Sequence, residues 1–76
     1  MLKRVEVEWL DAFSYGAEWL GGDYNFKPAF CKTMGYIMKK DKQTITITQS
    51  FNADTAHVMN VICIPLGSVL KIKEIK

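Results

Sequence analysis

Three side chains in this 76-residue sequence are of the types that perform nucleophilic or metal chemistry: Cys31, Cys63 and His57. A thiol, an imidazole to activate it and a carboxylate to orient the imidazole would make a nucleophilic constellation, with Asp54 as the orienter. Nothing in the spacing brings these groups together. There is no C-x-x-C, no H-E-x-x-H and no pair of histidines, so the possible ligands are too few and too scattered for a zinc centre. Gly21-Gly22-Asp23 is a turn, not a G-x-G-x-x-G or a P-loop, and no helix of useful length follows it. The expectation is a protein that binds and does not catalyse: not an enzyme, with no metal and no cofactor.

Two other groups of residues suit binding. Phe13, Tyr15, Trp19, Tyr24 and Phe26, five of the nine aromatics, fall within residues 12–29 beside Gly16, Gly21 and Gly22. Aromatics next to glycines and lysines can stack on bases or nucleotide rings, each stack contributing about 1–3 kcal/mol. The same stretch could clamp an extended proline-rich peptide, or fold back so that Phe13, Trp19 and Phe26 cover one end of a small core. Tyr15 and Tyr24, with polar tips, suit ligand contact best. Lys39, Lys40 and Lys42 place three cations within four residues, able to hold a phosphate or simply to be solvated. Lys32 lies on the strand leading to that tip. The expected ligand-binding residues are therefore Tyr15, Trp19, Tyr24, Phe26, Lys32, Lys39, Lys40 and Lys42.

Charge is segregated along the chain. Residues 6–23 hold five acids and no base, residues 27–42 hold five lysines and one acid, and Lys71, Lys73 and Lys76 cluster with Glu74 near residue 76. Such segregation can steer a partner, yet a net charge of +2 with a single arginine, Arg4, is far from the balance of a dedicated nucleic-acid binder. Seventy-six residues make one domain (1–76) with a small core, for which oligomerisation is a common source of extra burial. The opening residues MLKRVEVEWL are charged and alternating, unlike a signal peptide, and no apolar run is long enough to span a bilayer. Free thiols in a reducing cytoplasm are expected.

The elements that must position these groups are strands. Val5, Val7 and Trp9 alternate with Arg4, Glu6 and Glu8, which predicts a first strand over residues 4–11 whose acids face solvent or meet lysines of a neighbour. Residues 12–29 break every periodicity; Ser14 could cap a short helix over residues 15–20 that Gly21 ends. A second strand is expected over residues 30–39, with Gly35 marking a bulge or a close approach of two backbones. After the charged turn 39–42, Thr44, Thr46, Thr48 and Ser50 alternate with Ile45, Ile47 and Phe51 in a third strand. Asn52-Ala53-Asp54-Thr55 is a turn by composition. Residues 57–64, HVMNVICI, are apolar almost throughout, which predicts a central strand buried on both faces, with Cys63 a small core residue. Pro65-Leu66-Gly67-Ser68 turns the chain into a fifth strand, Val69–Ile75. The fold expected is all-β, a five-stranded SH3-like or Sm-like small barrel with an aromatic-rich insertion after the first strand.

Two blocks carry a family likeness. Gly35-Tyr36-Ile37-Met38-Lys39-Lys40-Asp41 resembles the Sm1 spacing of a glycine, a hydrophobic residue two later and an aspartate six later. Ile64-Pro65-Leu66-Gly67-Ser68-Val69-Leu70 is similar to the Sm2 block between the last two strands. The resemblance implies a barrel that assembles edge to edge into rings. The asparagine that holds a base in that family would fall near Ile45, and the arginine before the glycine falls on Leu66, so those two RNA-reading side chains are missing. A second resemblance, over Val5 to Trp9, Gly35 to Ile37, Gln49-Ser50 and Ile64 to Val69, is to small proteins of phage and prophage genomes. It implies origin in a bacterial host's cytoplasm, where some such proteins bind host defence enzymes or sequester nucleotide signals.

The function expected is non-enzymatic binding by a phage-type homo-oligomer that captures a nucleotide signal or short nucleic acid. The alternative is a protein-interaction module, a host-protein inhibitor or adaptor, using the same loop or an open strand edge. No membrane association is expected.

Overall fold

The computed structural model describes residues 2–12, 19, 21–22 and 27–76. The expected short helix over 15–20 and the aromatics Phe13, Tyr15, Tyr24 and Phe26 lie outside the described residues. Five antiparallel strands form one sheet: β1 (Arg4–Asp11), β2 (Ala29–Lys40), β3 (Thr44–Phe51), β4 (Val58–Pro65) and β5 (Val69–Ile75), with a 3-10 turn over Leu66–Ser68. The order across the sheet is β4-β3-β2-β1-β5. The all-β reading and the five strands hold, and the insertion does fall between β1 and β2.

Alternation sets the core. Val5 and Val7 of β1, Ile45 and Ile47 of β3 and Ile64 of β4 are buried together, with Trp9, Ile37, Ile62, Leu66, Val69 and Ile72 packed against them. Burying each of those aliphatic side chains contributes about 1.5–3 kcal/mol. The polar positions between them point the other way. Glu8 stands opposite Lys32 on β2 and Lys71 on β5, and Glu6 stands opposite Lys73, so the register places the acids of β1 across from lysines.

β2 is shared between two neighbours. Residues 29–36 pair with β1, and residues 36–40 pair with β3. The changeover falls at Tyr36, which pairs with both neighbours, and beside it an added β-carbon on Gly35 would lie 2.6 Å from Cγ2 of Ile47 and 2.6 Å from the carbonyl oxygen of Thr48. Only a residue without a side chain lets β2 and β3 approach that closely. Three residues on, Met38 is the extra residue of a bulge, since Ile37 pairs with Ile47 and Lys39 with Thr46. A second register shift, between Glu8 and Trp9, leaves Leu70 as the extra residue of β5.

The largest departure from expectation is β4. It is the edge of the sheet, not a central strand. Only Ile64 is buried and Ile62 half-buried, while Val58, Met59 and Val61 are 38%, 65% and 48% exposed. Cys63, expected in the core, is exposed as well. An unbroken apolar run signals burial on both faces, but it does not say that the cover comes from the same chain. Asn60 interrupts the strand with a left-handed φ of 58°, a conformation that asparagine tolerates better than most residues. Beside that kink the buried Thr48 hydroxyl lies 2.8 Å from the carbonyl of Ser50 and 2.9 Å from that of Met59.

Candidate functional site

The basic tip is built by Asp41. Its Oδ1 accepts hydrogen bonds from the backbone N–H groups of Gln43 (2.8 Å) and Thr44 (2.9 Å), and its own N–H donates to the Thr44 carbonyl at 3.0 Å. An aspartate that bonds to backbone two residues on is the device that closes such turns. Those two backbone bonds, and then the nearby Lys39 ammonium, hold the Asp41 carboxyl below its ordinary value. The acid at the tip is therefore a brace. Lys39, Lys40 and Lys42 stand exposed around it. The N–H of Leu66 donates to the carbonyl of Gln43 at 2.8 Å, tying the same hairpin to the 3-10 turn.

Lys32 does not belong to this tip. It points outward from the first half of β2, opposite Glu8, on a row that continues to Lys71 of β5. Of the aromatics expected to bind, Trp19 is the one among the described residues, and it is 102% exposed. Tyr15, Tyr24 and Phe26 lie outside them. The loop that carries Trp19 joins β2 at Ala29, while the lysine tip leaves β2 at Lys40. At about 3.3 Å per residue, roughly 35 Å of strand separates the two attachment points along its length.

Of the residues considered for catalysis, the two thiols have hydrogen-bond partners, and His57 is tied through its backbone N–H. The half-buried Cys31 thiol donates to the carbonyl of Ala29 at 3.8 Å, and the Thr46 hydroxyl donates to Cys63 Sγ at 3.5 Å. The N–H of His57 donates to Thr55 Oγ1 at 3.3 Å within the β3–β4 turn. Asn52 organises that turn, its Oδ1 accepting from the N–H groups of Asp54 (2.9 Å) and Thr55 (3.2 Å). Among the described residues no group of three or more His, Cys, Asp or Glu side chains is placed to hold a metal ion, and no helix is long and apolar enough to cross a membrane. The positions where the Sm-like pattern has its base-reading residues are apolar and structural here: Ile45 is fully buried and Leu66 packs against the core.

Two features of the surface were not read from sequence. One is the exposed apolar edge of β4, with Leu70 of β5, 57% exposed, on the opposite edge strand. Its signal was the asparagine inside the most apolar run, a residue that fits a kinked edge better than a flat central strand. The other is a hollow beside Phe51. Phe51 stands edge-on to Tyr36, with ring centroids 5.0 Å apart. No protein-family model matches the chain, and neither a curated protein nor a solved structure does.

Proposed function

We propose that the chain is a non-enzymatic interaction module that works as a homo-oligomer, pairing β4 of one copy with β5 of the next. Such pairing would join the sheets of neighbouring copies edge to edge into the ring that the sequence resemblance implies, each copy's own sheet curling into an SH3-like or Sm-like barrel. The observation that carries this reading is β4 itself. An edge strand with exposed Val58, Met59 and Val61 invites another strand; it carries no lysine, and its one proline, Pro65, stands at its last residue and leaves the rest of the edge unguarded. The end positions of β4 and β5 in the strand order make a head-to-tail ring geometrically natural. A host protein's strand could add to the same edge by the same backbone bonding, which is how a phage-type adaptor or inhibitor would act. Size-exclusion chromatography with light scattering at tens of micromolar, by order of magnitude, tests it. A multimer that Val61→Lys with Met59→Lys reduces to monomers is expected. A wild-type monomer sinks the ring.

Capture of a nucleotide signal or short nucleic acid is the second reading, favoured by the full exposure of Trp19 and by the exposed Lys39, Lys40 and Lys42. With loop and tip attached at opposite ends of β2, a mononucleotide would use one of them, and a ligand using both would be an extended strand or lie between copies. A thermal-shift panel of nucleotides, cyclic dinucleotides and short oligonucleotides decides, with about 2–4 kcal/mol of stabilisation expected at saturation. A flat panel removes this reading.

A further inference from the structure

We infer that the chain carries a binding site for a small amphipathic anion, a medium-chain carboxylate, with its apolar body in the hollow beside Phe51 and its head group at Lys3 and Arg4. The reading does not rest on strand-edge pairing, although the hollows border both edge strands through Val58 of β4 and Glu74 and Ile75 of β5. The hollow measures about 540 Å³ and is lined by Leu2, Met38, Phe51, Ala53, Ala56 and Val58. That volume is within the range of small-ligand sites, and an apolar lining with polar groups at one end is their usual chemistry.

Asn52 is the polar residue of this wall, and its acceptors are already engaged. Its Oδ1 takes the N–H groups of Asp54 and Thr55, and its backbone carbonyl takes that of Ala56 at 2.8 Å. What the hollow offers a visitor is therefore mostly hydrocarbon. Two small side chains, Ala53 and Ala56, leave the space open. Ala56 is held at a φ of 63°, where glycine or asparagine would sit with less strain, so a strained backbone coincides with the wall of the hollow.

A second hollow adjoins the first and shares Leu2 and Phe51 with it. Its other walls are Lys3, Arg4, Tyr36, Glu74 and Ile75. Two cations face one carboxylate there, so the excess charge is positive. A ligand crossing between Leu2 and Phe51 passes from an apolar compartment to a cationic one. A neutral hydrocarbon would gain nothing from the second hollow, and a bare phosphate nothing from the first. A chain of hydrocarbon ending in a carboxylate uses both.

An NMR titration of the full chain, reading backbone amides, tests the assignment with dodecanoate below its micelle-forming concentration, and with dodecanol and phosphatidylglycerol vesicles as comparisons. Dodecanoate should shift the amides of Lys3, Arg4, Phe51, Ala53, Ala56 and Val58 saturably. Ala53→Trp, which fills the hollow, should abolish those shifts, and Lys3→Glu with Arg4→Glu should weaken binding at least tenfold while leaving dodecanol unchanged. Equal binding of dodecanol and dodecanoate overturns the anionic ligand. Shifts centred on the exposed Phe30, Met34 and Leu70, or binding to vesicles in place of the free acid, overturn the site. So does movement of the same amides with protein concentration alone, which would make the hollow a contact between copies.

Discussion

Gly35 and Ile47 meet at a crossing too close for a second side chain. A β-carbon on Gly35 would stand 2.6 Å from Ile47 Cγ2 and equally far from the backbone oxygen of Thr48. The methyl could be displaced, but the carbonyl belongs to the sheet and cannot move without breaking the pairing of β3.

Gly35→Ala should therefore destabilise the fold by about 1–3 kcal/mol, the usual cost of forcing extra atoms into a packed contact. Ile47→Val in the same chain should not restore the loss, because the clash with the Thr48 oxygen remains. Urea denaturation of both variants measures this, and a stability unchanged from the parent would show that β2 bends without needing glycine.

The buried hydroxyl of Thr48 makes a different demand. It lies within hydrogen-bond distance of the Ser50 carbonyl on its own strand and of the Met59 carbonyl, next to the kink at Asn60 on β4. Thr48→Val keeps the shape and removes the donor, which should cost about 1–3 kcal/mol as a buried polar group loses its partner. Thr48→Ser should recover most of that. Equal stability of the valine and serine variants would mean that the hydroxyl contributes only volume.

Asp41 links the charged hairpin to pH. Its folded carboxyl is held below the ordinary value by the Gln43 and Thr44 N–H groups, so the ionised form favours the closed turn. The contribution is present above the unfolded carboxyl value and disappears as pH falls through the lowered folded one. The protection of the Gln43 and Thr44 amides, taken relative to their intrinsic exchange rates, should fall over that acid interval in the parent chain. Asp41→Asn, which keeps an acceptor but cannot titrate, should show exchange without that acid-specific step. A step of the same size in both chains would assign it to another group.

Tyr36 and Phe51 meet edge to face, a geometry worth about 0.5–1.5 kcal/mol beyond area. A double-mutant cycle with Tyr36→Leu and Phe51→Leu should return a coupling of that size. Additive losses would show the two rings to be neighbours without a specific contact.

Much of this architecture was legible because alternation is a local signal. The valines of β1 and the isoleucines of β3 pointed inward as their spacing required, and β1 and β5 begin and end where the pattern does. Gly35 announced a close approach, and the composition of residues 39–42 announced an exposed turn. β4 was misread because hydrophobicity reports a need for cover and not its source. The relation between loop and lysine tip was hidden for another reason: only the register of β2 reveals that they leave the strand at opposite ends. The hollow at Phe51 joins Leu2 just before β1, Met38 near the end of β2, the turn after β3 and Val58 of β4, a juxtaposition no window of sequence contains.

The strand order also fixes a sequence of events during synthesis. β1 lies between β2 and β5, and Arg4 pairs with Ile75, so the first strand made waits for the last before its second side is covered. Until Val69–Ile75 is available, Val5 and Val7 belong to an edge strand, and closing that long interval makes assembly slow relative to a chain of local hairpins. A nascent chain stalled before Val69 would present two open edges, β4 and β1, and of these only β4 is also an edge of the finished sheet, whose other edge is β5.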